Sequence, residues 1–473
     1  MYDSFLELCG FERNEIQEDL PRIRKAFDKL EITSEDIEEG EERVRENFDI
    51  ELLGMRKILR LFIKELVNLM LAEDEKEIRL YTVMPTINPD IIGAAMQASN
   101  KVYAGFPDFL LIMVAGAIFG KLAPIQDAAE EHMLTRGAAH CSCNQTRLGC
   151  QVLELLPRPD LLLSWGHFCD EVPKVDELLH EFFDIPVVIV NRCQDEDWTE
   201  YPEPNPRAVE FYTAELKKAL AKTSETIGVE ISEDLFRQTL MTSMMYYGLV
   251  AQIGELVVDS DPLIISPNDI LYALWLYFLG VAPENVQARM DAVNILYSEL
   301  KERKEKGVGI LPKGAPRVLH CGFPSLVDPS VIKLMERLGL AIPVMEAQLW
   351  YPDAQFLPSA TGVDLTETDP CKILAMTLLA ASFLHVTSGR EEALLTACKR
   401  YDIDAVFALL HYSCRPYGND GIMLKGAIKE ELGLPTLLLE GDIFDPRIYT
   451  REQLRTRLES FAELVKASKR PRG

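Results

Sequence analysis

Apolar residues recur at helical spacing through Leu52, Leu53, Ile58, Leu59, Leu61, Phe62, Leu66, Val67 and Met70, which predicts a packing helix there. The stretch before it, EITSEDIEEGEERVRENFD, is dominated by acids and reads as a solvated lead-in. From about residue 77 the rhythm changes. EIRLYTVM, PDLLLSWG and IPVVIVN are short apolar runs bounded by turn residues, and AAMQASNKVY, DFLLIMVAGAIF and EVPKVDELLHEFF read as helices among them. Residues 205–312 are helical in pattern almost throughout, and GVGILPKGAP closes that block as a linker. RVLHCGFP, LAIPVMEAQLW, AVFALLHYS and LPTLLLEGD then read as strands, with helices around Val331–Leu338, Cys371–Ser382, Arg390–Tyr401, Leu424–Leu432 and Thr450–Ala467.

Strands alternating with helices indicate a parallel sheet covered on both faces. The chain is therefore read as α/β. A helical N-terminal segment (1–76) precedes a first α/β lobe (77–204), a helical insert (205–314) and a second α/β lobe (315–473). The two lobes are expected to be Rossmann-like, with ligands gathering beyond the carboxyl ends of their strands.

Composition narrows the classes. Of 473 residues 48% are hydrophobic, as in an ordinary globular protein, and the formal net charge of −26 argues against broad nucleic-acid binding. The opening MYDSFLELCGFERNEIQ lacks a basic region leading into an apolar one, and FLLIMVAGAIFG is too short to span a bilayer. A cytoplasmic protein with no membrane or nucleic-acid partner is expected.

There are ten cysteines. In a reducing compartment they serve as packing residues, metal ligands or reactive thiols rather than disulfides. Cys9, Cys150, Cys193 and Cys398 lack a supporting context and read as core. Cys143 in HCSCNQTRLGC stands where a loop gives way to a helix, and Cys169 in PDLLLSWGHFCDEVPK and Cys414 in HYSCRPYG fall just past strand ends. Three thiolates could hold an iron–sulfur cluster that leaves one iron open. His140, Cys141 and Cys143 could equally be half of a zinc site, although no compact second half follows. Spacing leaves both open.

Several stretches resemble the family of 2-hydroxyacyl-CoA dehydratase and benzoyl-CoA reductase subunits. The resemblance runs from about residue 78 to 467: CNQTRLG, then PDLLLSWGHFCDEVPKVDELLHEFFDIPVV, RVLHCGFP, TDPCKILAM, and most specifically the segment from YDIDAVFALLHYSCRPYG to LRTRLESFAEL. It implies a [4Fe-4S] cluster on Cys143, Cys169 and Cys414, with Cys141 able to exchange roles with Cys143. It also implies an ATP-hydrolysing iron–sulfur activator protein that delivers one low-potential electron, and a homologous second subunit or a homodimer. The reaction implied is dehydration of a 2-hydroxyacyl-CoA through a ketyl-type radical, or benzoyl-CoA-type reduction.

Some relatives carry an [8Fe-9S] double cubane and reduce small molecules. Cys141, Cys321 and Cys371 are the reserve ligands for such a site, but those relatives place a cysteine after the Gly of the Gly-x-Pro turn, where this chain has Phe323. A third reading is a non-catalytic protein whose cysteines hold a structural metal or relay electrons. His140, His167 and Glu440 are candidates for proton transfer. Glu440 and Asp442, both at the strand end in LLLEGDIFD, and Arg455 and Arg457 are candidates for shaping the pocket or meeting a partner, and Arg147, Glu171 and Lys174 for contacting substrate. No Walker A, GxGxxG or HExxH motif occurs, so ATP chemistry would belong to the partner.

Overall fold

The computed structural model describes residues 1–83, 89–137, 140–166, 169, 171–191, 205–279, 283–349, 363–380, 387–448 and 451–468. Two four-stranded parallel sheets dominate it, with helices before and between them. The first contains β1 (Ile78–Thr82), β2 (Val102–Gly105), β3 (Leu161–Trp165) and β4 (Val187–Val190), in the order β2-β1-β3-β4. The second contains β5 (Arg317–Cys321), β6 (Ala341–Met345), β7 (Ala405–His411) and β8 (Thr436–Gly441), in the order β6-β5-β7-β8. The lobes share one topology. In each, the strand order reverses beside the first strand, which places a crevice between β1 and β3 and another between β5 and β7.

The apolar runs explain the sheets: every residue of β3 and β5 is buried, as expected of central parallel strands covered on both faces. β2 departs from the sequence reading, in which AAMQASNKVY is one helix. The helix Pro89–Ala98 stops short because Ser99 turns the chain, its carbonyl accepting from the Val102 amide at 3.2 Å. Val102 and Tyr103 then pair with Ile78 and Arg79, and the Tyr103 hydroxyl donates to Glu65 at 3.1 Å.

The acidic lead-in also proves more ordered than its charge suggests. Ser34–Asn47 is a helix that buries Ile37, Gly40 and Val44, and Thr33 and Asp36 cap its start reciprocally. The packing helix Leu53–Met70 follows, and its first amides are capped from afar by Glu299, at 2.8 Å to Leu53 and 2.9 Å to Gly54. FLLIMVAGAIFG is wholly buried up to Phe119, its first part lying in Pro107–Leu110 and a π-helical turn Leu111–Gly116. Among the described residues no helix is long and apolar enough to cross a membrane.

One contact places the functional region. The helix Ser142–Val152 crosses Ala123–Glu131 at Gly149, where a Cβ would stand 1.9 Å from the Ile125 carbonyl oxygen. Gly149→Ala therefore has to push two helices apart. Overpacking of this kind costs about 1–3 kcal/mol, so a lower urea midpoint is expected, with an unchanged midpoint as the contrary result.

Candidate functional site

Cys169 lies just beyond β3 and Cys414 just beyond β7, the equivalent strands of the two lobes. Cys141 is the N-cap residue of the helix Ser142–Val152. These three segments converge between the lobes. Ser142, next to Cys141, and Ser413, next to Cys414, have their hydroxyl oxygens 3.1 Å apart, and the Ser142 amide donates to Ser413 Oγ at 3.2 Å. Both hydroxyls donate to the buried carboxylate of Asp442, at the end of β8. Across the same seam Arg415, next to Cys414, donates to Glu171 at 2.7 Å, two residues beyond Cys169.

The thiols report this convergence electrostatically. Burial, then the Cys414 thiol, the Asp442 carboxylate and the Cys169 thiol, push the Cys141 thiol well above its ordinary range. Burial, then Cys169, push Cys414 up to about 12, with Arg390 drawing it back only in part. A metal binds such thiols only by displacing their protons.

Cys143 faces elsewhere. It is 2% exposed, and its Sγ donates to Asp108 at 3.2 Å inside the first lobe. Burial, then Asp108 and Cys141, raise its thiol. Burial likewise pushes the Asp108 carboxyl up to about 6.

The other two reserve cysteines, Cys321 and Cys371, have partners of their own. Cys321 donates to Glu346 at 3.2 Å and lies 3.6 Å from Arg390 Nη2, so an ion-paired network surrounds it. Arg390 binds Glu346 on one side and Asp420, at 2.5 Å, on the other, and its guanidinium lies 4.7 Å from the centre of the Tyr417 ring. The charges acting on Cys371 are those of Asp369, Lys217 and Glu233. Cys9, Cys150 and Cys398 are buried among apolar residues. Cys193 lies outside the described residues.

The other sequence candidates divide. His140 is half-buried, its Nδ1 3.6 Å from Glu171, while His167 lies outside the described residues. Glu171 also accepts from Lys174 at 3.1 Å. Arg147 is buried and paired with Asp176 at 3.1 Å, a structural contact away from solvent. Glu440 is exposed, whereas Asp442 is 1% exposed. Arg455 pairs with Glu459 on its own helix and Arg457 donates to the Leu438 carbonyl.

Sequence does not single out Ser142, Ser413 or Gln126. Its one signal is that each serine adjoins a cysteine. Gln126 Nε2 donates to the Phe444 carbonyl at 2.7 Å and to that of Ser142 at 3.3 Å, a second tie across the seam.

Among the described residues no three His, Cys, Asp or Glu side chains are close enough together to hold a single metal ion. A cluster makes a different demand, because each thiolate binds a different iron. Three half-buried cysteines from three segments, in electrostatic reach of one another, suit that demand.

The family model for the 2-hydroxyglutaryl-CoA dehydratase D-component matches residues 96–465. The chain is 22% identical over 332 residues to the (R)-2-hydroxyisocaproyl-CoA dehydratase alpha subunit of Clostridioides difficile, covering 68% of this chain and 75% of that one. It is 23% identical over 322 residues to the alpha subunit of the (R)-2-hydroxyglutaryl-CoA dehydratase of Acidaminococcus fermentans, covering 67% and 63%. A benzoyl-CoA reductase subunit of Thauera aromatica is 22% identical over 325 residues, covering 66% and 71%.

Proposed function

Because this chain belongs to the 2-hydroxyglutaryl-CoA dehydratase D-component family, we propose that it is the iron–sulfur subunit of an enzyme acting on an acyl-CoA thioester. Dehydration of a 2-hydroxyacyl-CoA is the preferred reaction, with benzoyl-CoA-type reduction as the alternative. The observation that carries this reading is that the segments bearing Cys141, Cys169 and Cys414 meet between the lobes, tied by the Ser142–Ser413 and Arg415–Glu171 contacts. In this reading those three hold a [4Fe-4S] cluster, and Cys141 takes the place that Cys143 holds in the sequence expectation. When bound, such a cluster would pass on a single low-potential electron and would offer one iron that the chain does not ligate.

The chain's own residues do the rest. Loss of water from a 2-hydroxyacyl-CoA is redox-neutral overall, so the electron is returned and the protein must only move protons and keep solvent out. Glu171, 5% exposed and bonded to Arg415 and Lys174, braces the rim beside Cys169. His140 stands beside Glu171 and is the candidate to which this reading gives proton transfer. In this reading an ATP-hydrolysing activator supplies the electron, and a homologous second subunit or a second copy of this chain completes the enzyme.

The test is turnover. Anaerobic protein, combined with its activator, sister subunit and MgATP, is expected to convert a 2-hydroxyacyl-CoA to the enoyl-CoA only after ATP has been supplied and, because the electron is returned, to form many enoyl-CoA molecules per ATP hydrolysed. An intact cluster that responds to no 2-hydroxyacyl-CoA or aromatic acyl-CoA under those conditions contradicts the reading.

A further inference from the structure

We propose that Asp442, Ser142 and Ser413 form a cross-lobe clamp that sets the distance between Cys141 and Cys414. Asp442 is thus a positioning residue, and the inference builds on the reading of these cysteines as one ligand set.

Every lone-pair direction of the Asp442 carboxylate is used. Oδ1 accepts from Ser142 Oγ and from the amides of Phe444 at 2.9 Å and Asp445 at 3.2 Å. Oδ2 accepts from Ser413 Oγ at 2.5 Å and from the Ser413 amide at 3.2 Å. Ser142 and Ser413, 271 positions apart in the chain, meet only here, and each is covalently next to a cysteine of the site. A shift in either serine is therefore a shift in its cysteine.

The geometry needs a carboxylate. Three of the five donors are backbone amides that cannot turn away. An asparagine keeps the size but brings an NH2 group. Whichever way it is flipped, that group faces a backbone N–H, either of Ser413 or of Phe444 and Asp445. The lobes need not separate as a result. Gln126 still bonds Phe444, and Arg447 still pairs with Glu130 at 2.9 Å. Asp442→Asn and Ser413→Ala should accordingly fold while loosening the cysteine spacing.

The test uses the full-length chain, stripped of metal by a chelator and fully reduced. Dibromobimane, which joins two neighbouring thiols, is added at limiting concentration, and the Cys141–Cys414 bridged peptide is quantified by mass spectrometry. Wild type is expected to form that bridge readily. Asp442→Asn is expected to slow it on the order of tenfold, because misplacement by an ångström can cost up to about 100-fold in an intramolecular reaction. Ser413→Ala is expected to slow it by less, and carries the test if the Asp442 variant does not fold.

Circular dichroism confirms folding, and single alkylation of Cys414 at an unchanged rate shows that its intrinsic reactivity is intact. A merely stabilising role would lower the melting temperature without changing the bridging rate of the folded protein. Folded variants that bridge at the wild-type rate overturn the clamp, as does a wild type that forms no Cys141–Cys414 bridge. Because iron takes no part, the clamp can fail or stand separately from the functional reading.

Discussion

Under the proposed ligand set, Cys141→Ala is expected to strip the chain of iron, while the same change at Cys143 leaves most of it in place. The two thiols are two residues apart at a helix start, which puts them roughly 200° apart around the axis. Only one can look into the seam between the lobes. The charges that follow burial in raising Cys141 are those of Cys414, Asp442 and Cys169, whereas Cys143 is bonded to Asp108 in the first lobe. Loss of a partner that merely supports a metal ligand typically costs about 10–100-fold in affinity, so loss of the ligand itself should exceed that. Cys143→Ala should instead show its effect in stability. It removes the thiol donor to a buried carboxylate, a loss of about 1–3 kcal/mol. Iron content and urea midpoint, measured on both variants, separate the two roles. Equal iron loss from both would mean that the helix start, rather than one thiol, governs binding.

The second large effect is expected at Arg390, 2% exposed between Glu346 and Asp420. Arg390→Met leaves two buried carboxylates without their cation. Breaking a buried ion pair by removing one partner costs about 3–5 kcal/mol. Burial alone would raise the Glu346 carboxyl. The Arg390 charge, with bonds from Arg390, the Gly322 amide and Cys321, holds it below its ordinary range. A carboxyl depressed in the folded state stabilises the protein above its unfolded pKa, and that stability is lost as pH falls through the folded value. Asp420 contributes with the opposite sign, since burial leaves it raised despite Arg390.

Without Arg390, burial drives both carboxyls to take up protons. The gap in unfolding free energy between wild type and Arg390→Met should therefore be widest near neutral pH and narrow toward the acid carboxylate range. A gap independent of pH would show that lost packing on Tyr417, rather than charge, is what the arginine contributes.

The fold was legible where one pattern served one environment. β3 and β5 are buried on both faces, so they appear in the sequence as unbroken apolar runs. β2 was not legible, because its four residues follow a turn and continue the apolar spacing of the preceding helix. At the candidate site, the position of Cys169 and Cys414 past strand ends is what the sequence pattern shows. The choice between Cys141 and Cys143 depends on what faces a helix start from the other lobe, which no local pattern contains. Glu440 and Asp442 looked equivalent for the same reason. β8 ends at Gly441, so Glu440 keeps the outward face of an edge strand while Asp442 has already turned inward to meet two serines from distant segments.

The most direct test of a three-cysteine cluster between the lobes is the iron and acid-labile sulfide content of the chain isolated without oxygen. About four of each per chain, falling to near zero when Cys141, Cys169 or Cys414 is replaced, is the expected result. About eight irons would point to a double cubane, and zinc or no metal at all would contradict the cluster outright.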